Sequence, residues 1–145
     1  MQVTPSPIVH ARGHERGIVA AETDMNIRVA DDDIRRYLAD IQFTSWERLD
    51  RHGFSAETEI QDSALDLAIE IVSPSQNRAY FEEKVRALLI SGATIVLVVD
   101  TGREEIIIHR NGSARVLSRG EQFEAPEFPG LSIGVTALFD SLIRR

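Results

Sequence analysis

Residues 65–75 read Leu-Asp-Leu-Ala-Ile-Glu-Ile-Val-Ser-Pro-Ser, and their alternation decides the fold. Leu65, Leu67, Ile69 and Ile71 fall on one face of an extended chain, and Asp66, Ala68, Glu70 and Val72 on the other. A period of two with β-branched enrichment predicts a strand, and Ser-Pro-Ser ends it sharply. Glu70 then sits mid-strand among apolar neighbours, where burying a carboxylate is costly without a partner. Either a hydrogen-bonding cation or a bound metal must compensate it.

Composition sets the outer bounds. A chain of 145 residues makes one domain, with 43% hydrophobic and 27% charged residues, ordinary for a soluble globular protein. The absence of cysteine excludes disulfides, thiolate metal sites and a cysteine nucleophile. Residues 1–10 lack an apolar signal core, and the apolar run Ile95 to Val99 is too short to span a bilayer. No membrane association and a cytoplasmic location are the expectations. A net charge of -7 argues against tight non-specific binding to nucleic acid. A local excess of arginine between Arg103 and Arg119 runs the other way. Basic residues are nearly all arginine, and Lys84 is the single lysine.

Upstream of the deciding strand, residues 1–17 read as an arm and 18–145 as the domain. His10 and His14 stand four apart and would pair on a metal in a helix, but Pro5, Pro7, Gly13 and Gly17 favour a loose arm. Ile18 to Thr23 and Asn26 to Ala30 predict two short strands with a turn at Asp24. Asp31, Asp32 and Asp33 read as a solvated turn. Arg35 to Thr44 predicts a strand that carries Asp40 between Leu38 and Ile41. Ser45 to Leu49 predicts a helical turn capped by Ser45, and His52 to Asp62 a polar connection.

Downstream, a helix is expected from an N-cap at Ser75 to about Ser91, with Gly92 as its left-handed stop. Phe81, Val85, Leu88 and Leu89 form its buried stripe, and Lys84 borders that stripe. The apolar strand Thr94 to Asp100 follows, giving a right-handed βαβ unit with two parallel strands. Thr101-Gly102 and Asn111-Gly112 predict hairpin turns around strands at Glu104 to Arg110 and Ser113 to Leu117. Phe123 to Pro129 reads as irregular, and Val135 to Ile143 as a short amphipathic helix with Thr136 as a possible cap. The fold class is α/β.

Asp40, Glu70 and Lys84 stand out on physical grounds. Two carboxylates from neighbouring strands can bind one hard cation such as Mg²⁺ through oxygen, and a lysine beside them can orient a water. The competing reading, favoured by spacing alone, is a buried salt bridge of Lys84 with Glu70. Asp66 shares a face with Glu70 but lies about 13 Å away along the strand, so it reads as a strand-edge hydrogen bonder. A serine hydrolase has little support: Gly-x-Ser-x-Gly is absent, Ser73 and Ser75 read as turn and cap residues, and His109 as packing.

The block LDLAIEIVSPS, Lys84 eleven residues after Ser73, Gly92 and the strand ending in Asp100 together carry a resemblance. The chain resembles the Uma-two family of restriction endonucleases, in the PD-(D/E)XK superfamily, over roughly Ile18 to Phe139. Pro129-Gly130 and Leu138-Phe139 extend the likeness. The resemblance implies a restriction-endonuclease-like mixed sheet flanked by helices. It implies a Mg²⁺-dependent endonuclease (Mn²⁺ also serving) that hydrolyses phosphodiester bonds of DNA. Asp40 and Glu70 are its implied metal ligands. The usual lysine two residues after the glutamate would be Val72 here, and the role passes to Lys84 on the helix.

Two departures matter. Ala39 and Leu65 replace family prolines without chemical consequence. The long N-terminal core helix of the family is shortened or missing, since residues 11–17 read only Ala-Arg-Gly-His-Glu-Arg-Gly. That loss predicts an apolar patch on the sheet face opposite the Lys84 helix, and hence a homodimer, with a marginally stable monomer as the lesser alternative. A catalytically silent module, oligomeric or associated with nucleic acid, is the alternative to the nuclease.

Overall fold

The computed structural model describes residues 12–13, 17–30, 33–45, 47, 61–62 and 66–143, with side chains at 40–45, 47 and 66–142. The strands are β1 (Arg12–Gly13), β2 (Gly17–Ala30), β3 (Asp33–Ser45), β4 (Gln61–Asp62), β5 (Leu67–Val72), β6 (Ile95–Asp100), β7 (Glu105–Arg110), β8 (Ser113–Leu117), β9 (Gln122–Glu124) and β10 (Ser132–Gly134). Two helices are described, α1 (Arg78–Ile90) and α2 (Val135–Ile143). One sheet runs β1-β2-β3-β5-β6-β7-β8, with β4 added to β2, and β9 pairs with β10 separately. Among the described strands only β5–β6 and β2–β4 are parallel, so the sheet is mixed.

The βαβ unit at its centre follows from local chemistry. β5 and β6 pair in parallel from Leu67↔Ile95 to Val72↔Asp100, and α1 makes the crossover. Ser75 does not cap this helix. Residues 73–76 form a turn, in which Gln76 N–H donates to Ser73 O at 3.1 Å and Gln76 Oε1 accepts from Ser73 N–H at 2.8 Å. The cap falls to Asn77, whose Oδ1 accepts from Tyr80 N–H at 3.2 Å. At the other end Ala93 N–H reaches Leu88 O and Gly92 N–H reaches Leu89 O. Gly92 has φ 115°, the left-handed geometry that this helix stop requires.

Other boundaries also move. β2 is one continuous strand through Asp24, paired with β3 from Gly17↔Ser45 to Ala30↔Asp33. Long-range pairing overrides the local turn signal at Asp24. Ser45 closes β3, and the rest of the expected helical turn at 45–49 falls almost wholly outside the described residues. His10, His14 and most of the polar connection 52–62 also lie outside. Arg12 and Gly13 of the arm pair with β2. Part of the expected irregular segment is strand β9, and Thr136 lies inside α2, its hydroxyl accepting from Gly120 N–H at 2.9 Å.

The sheet has a core on each face. Under α1 lie Ala68, Val96 and Val98 against Val85, Ala87 and Leu88. On the opposite face Leu67, Ile95, Leu97, Val99, Ile106 and Ile108 pack against Phe123, Val135 and Phe139. Phe128 reaches Phe43 edge-on, with ring centroids 6.1 Å apart. Phe123 and Phe139 are sealed from solvent, and each such burial contributes about 2–3 kcal/mol.

Over β5 to β8, where side chains are described, the face opposite α1 is therefore covered rather than bare. Residues 123–142 fold back over that face, so an N-terminal helix is not needed to cover it there. Among the described side chains Ile71 is an exposed large hydrophobic on that side, whereas Tyr80, Ile90 and Val116 are exposed on α1 and β8. Among the described residues no helix is long and apolar enough to cross a membrane.

Candidate active site

β3 and β5 pair antiparallel at Phe43↔Leu67, Gln42↔Ala68 and Ile41↔Ile69. One residue further on, side chains replace the backbone ladder. Asp40 Oδ2 accepts from Ile71 N–H at 2.7 Å, and Glu70 Oε2 accepts from Asp40 N–H at 3.4 Å. Each carboxylate thus reaches the backbone of the other's strand. The alternation read in residues 65–75 puts Glu70 on the α1 face, and the pairing of Gln42 with Ala68 puts Asp40 there as well.

Lys84 completes the group from above. It lies on the inner side of α1, between Phe81 and Leu88, and its Nζ stands 2.9 Å from Glu70 Oε1. The Phe81 ring centroid is 5.9 Å from the same ammonium, within cation–π range. Both charged side chains are out of solvent, Glu70 at 0% exposure and Lys84 at 5%.

Burial wins the electrostatic balance at Glu70. Its pKa is pushed up to about 7. Desolvation is the largest cause, and the Asp40 charge adds to it. The Lys84 charge and its contact, with the Asp40 N–H, act in the opposite sense but do not cancel the rise. One lysine does not offset the cost of burying this carboxylate, so a further positive charge would be accommodated.

Asp66 stands apart from this group. Its Oδ2 accepts from Ser45 N–H at 2.6 Å, and its carbonyl receives Thr94 N–H and Ile95 N–H. It fixes the start of β5 between β3 and β6. Ser73 and Ser75 bond each other at 3.1 Å within the turn before α1. His109 is half-buried on β7, and burial holds its pKa below the usual histidine value. Among the described residues no three His, Cys, Asp or Glu side chains gather as a metal-ligating group.

Gln42 and Thr44 escaped the sequence reading. They alternate with Ile41 and Phe43, a pattern that ordinarily marks a solvent-facing side. In the fold they are 2% and 1% exposed, on the face of β3 that carries Asp40. No signal in the local pattern distinguishes this from a solvated edge, because burial depends on what packs there from elsewhere in the chain.

A mixed sheet with a βαβ unit at its centre and two carboxylates converging where paired strands part defines a restriction-endonuclease-like α/β fold. A family model described as "Putative restriction endonuclease" matches residues 7–136. The chain belongs to this family, Uma2. A crystallised protein from Anabaena variabilis, described as "a putative nuclease belonging to DUF820", shares the fold with a TM-score of 0.72. It is 20% identical, and the similarity covers 95% of this chain and 74% of that one. No curated protein matches in sequence.

Proposed function

We propose that the chain is a metal-dependent endonuclease hydrolysing phosphodiester bonds of DNA. Asp40 and Glu70 would be ligands for Mg²⁺ or Mn²⁺, with Lys84 as the residue that orients water. The observation that carries this reading is the convergence of Asp40 and Lys84 on one fully buried carboxylate, Glu70, with the ammonium 2.9 Å away. Such a carboxylate suits a second cation. Two hard oxygen donors match Mg²⁺, which binds through one or two carboxylates and keeps several waters.

A divalent ion at this position would stabilise negative charge developing on the phosphate. The chain's own groups do the rest. Asp40 accepts from the Ile71 amide and Glu70 from the Asp40 amide, which ties the two strands together and fixes both carboxylates before anything binds. Lys84, released from full pairing once Glu70 is neutralised, can donate a hydrogen bond to a water and set its direction. Lysine suits this role because its compact ammonium has three rotatable donors and can lose its proton, unlike guanidinium.

Because ion and proton compete for Glu70, metal affinity should rise about tenfold per pH unit below about pH 7 and level off above it. Calorimetric titration of Mg²⁺ or Mn²⁺ into the wild type and Glu70→Gln, beside a plasmid cleavage assay, tests the reading. The wild type should bind and cut, and the variant should do neither.

One observation favours a second reading. Glu70 Oε1 meets Lys84, Oε2 meets Asp40 N–H, and Asp40 meets Ile71 N–H. A structural latch needs no more than this. A wild type that takes up no metal would make the protein a catalytically silent nuclease-fold module.

A further inference from the structure

We propose that the trough between α1 and the strands β7 and β8 binds a single strand of DNA and leads it to the Glu70–Lys84 pair. The proposal deepens the nuclease reading of that pair and rests on it. The trough encloses about 990 Å³, and its inner end is built from the immediate surroundings of the site. Val98 is the Cα partner of Glu70, and Val72 follows Glu70 on the same face of β5. Phe81 and Val85 flank Lys84 on α1. All four line the trough. The Phe81 ring also stands 5.9 Å from Lys84 Nζ, so it is a wall shared by the trough and the buried pair.

Floor and walls differ in chemistry. Val98, Ile107 and Val116 make an apolar floor beside the His109 ring, and Val116 lies open at 48% exposure. Arg78 and Arg86 line the trough from α1, and Arg103 from the turn after β6. All three arginines are exposed. Three carboxylates, Glu82, Asp100 and Glu105, share the lining, so the trough is neutral on balance in a chain of net charge -7. Two of them are engaged nearby. Glu82 meets Arg78 at 3.6 Å, and Asp100 Oδ1 accepts from the Gly102 and Arg103 amides.

A ligand that uses the whole trough carries anionic groups for the arginines and flat apolar faces for the floor. A duplex offers only the first, because its bases are stacked inside and its phosphates lie on a convex surface. A single strand offers both, with phosphates along one side and base faces free to lie on apolar and aromatic side chains. Guanidinium forks suit phosphate oxygens. Size points the same way. A cavity of this volume takes a ligand of drug-like size, which is a few nucleotides of one strand.

Binding is measured first without metal, so that it does not depend on cleavage. The probe is a short fluorescein-labelled oligothymidylate, followed by anisotropy with the full-length protein. It should bind about tenfold or more tightly than the same strand paired with oligoadenylate. Arg86→Gln and Arg103→Gln should each weaken binding about three- to tenfold and lower the slope of log K against log salt by about 0.7. Val116→Glu puts a carboxylate at an exposed floor position and should weaken binding at least as much. Absence of single-strand binding, equal or tighter binding of the duplex, or wild-type affinity and salt slope in the folded variants would each overturn the proposal.

Lys84 is the single lysine of the chain, so selective ¹⁵N-lysine labelling gives one side-chain ammonium signal, at the inner end of the trough. Saturating oligothymidylate should shift that signal. Binding without a shift would put the strand elsewhere and overturn the proposal. The nuclease reading fails separately. A wild type that binds as expected but cuts no DNA with Mg²⁺ or Mn²⁺ added keeps the trough as a binding site and loses the hydrolysis. A wild type that cuts DNA while the folded trough variants bind and cut as well as it does keeps the nuclease and loses the trough.

Discussion

Lys84 Nζ lies 2.9 Å from Glu70 Oε1, and the pair still leaves Glu70 with a pKa raised to about 7. The ion pair is therefore one that the fold tolerates more than one that holds it together. Burial costs the carboxylate more than the ammonium returns.

Stability should accordingly fall as pH rises from 4 to 8. Glu70 titrates at 4.5 in its ordinary state and about 7 in the fold, so the native protein binds the extra proton between those values. The stabilisation is full below about pH 4.5 and lost as pH climbs through 7. It amounts to on the order of 3 kcal/mol. Denaturant midpoints of the wild type and Glu70→Gln, taken across this range, should diverge between these two values and run parallel above. Curves parallel throughout would mean that Glu70 titrates in the fold where it does in the unfolded chain.

Lys84→Met should destabilise modestly at pH 6 and more at pH 8. Removing one partner of a buried pair ordinarily costs about 3–5 kcal/mol. Here Glu70 can take a proton instead of standing unpaired, which holds the loss near 1–3 kcal/mol at the lower pH. Above pH 7 the variant must keep that proton while the unfolded chain has none. Each further unit then costs about 1.4 kcal/mol. Urea unfolding at the two pH values measures the difference, and a pH-independent loss would show that Lys84 does not govern Glu70.

Much of this geometry was legible in the chain, for reasons that differ by residue. The alternation around Glu70 fixes its face, and Gly92 and the apolar stripe fix α1, so Lys84 over Glu70 follows from helix and strand periods. Asp40 was legible as an acid in an apolar strand. The cap was misplaced because Pro74 and Gln76 build a turn that uses up Ser73 and Ser75, leaving Asn77 to start the helix. The cover over β5 to β8 is not legible because residues 123–129 carry no periodicity, yet Phe123 and Phe128 pack onto the sheet. Turn chemistry and packing from distant segments are what local patterns leave out.

Asp66 and Glu70 should separate cleanly under mutation. Asp66→Ala removes the acceptor of Ser45 N–H, 2.6 Å away, and should cost about 1–3 kcal/mol. Metal binding, if Glu70 is a ligand, should survive in the folded variant. Thermal unfolding and metal calorimetry on the same sample check both halves. Loss of metal binding from folded Asp66→Ala would bring Asp66 into the site.

Gly102 is tied to the loop beside the site by shape rather than by backbone conformation. Its φ is not positive, so another residue could adopt the backbone. A Cβ built there would, however, lie 2.6 Å from Pro74 Cγ, closer than real Cβ atoms come. Neither side yields easily. Asp100 Oδ1 holds the amides of Gly102 and Arg103 at 3.0 Å, and Thr101 is bound to Val72 O through both its amide and its hydroxyl. Pro74 is a ring fixed in the Ser73–Gln76 turn. Gly102→Ala should therefore push that turn outward and cost about 1–3 kcal/mol. The displacement acts on the two ends it connects, Val72 at the end of β5 and Asn77 at the start of α1. Lys84 rides on α1, so its single ammonium signal should move although it lies far from residue 102 in sequence. Gly102→Ala combined with Pro74→Ala removes the ring carbon that clashes and should restore most of the lost stability. If the double variant is no more stable than Gly102→Ala alone, the contact with Pro74 is not what excludes a side chain at 102.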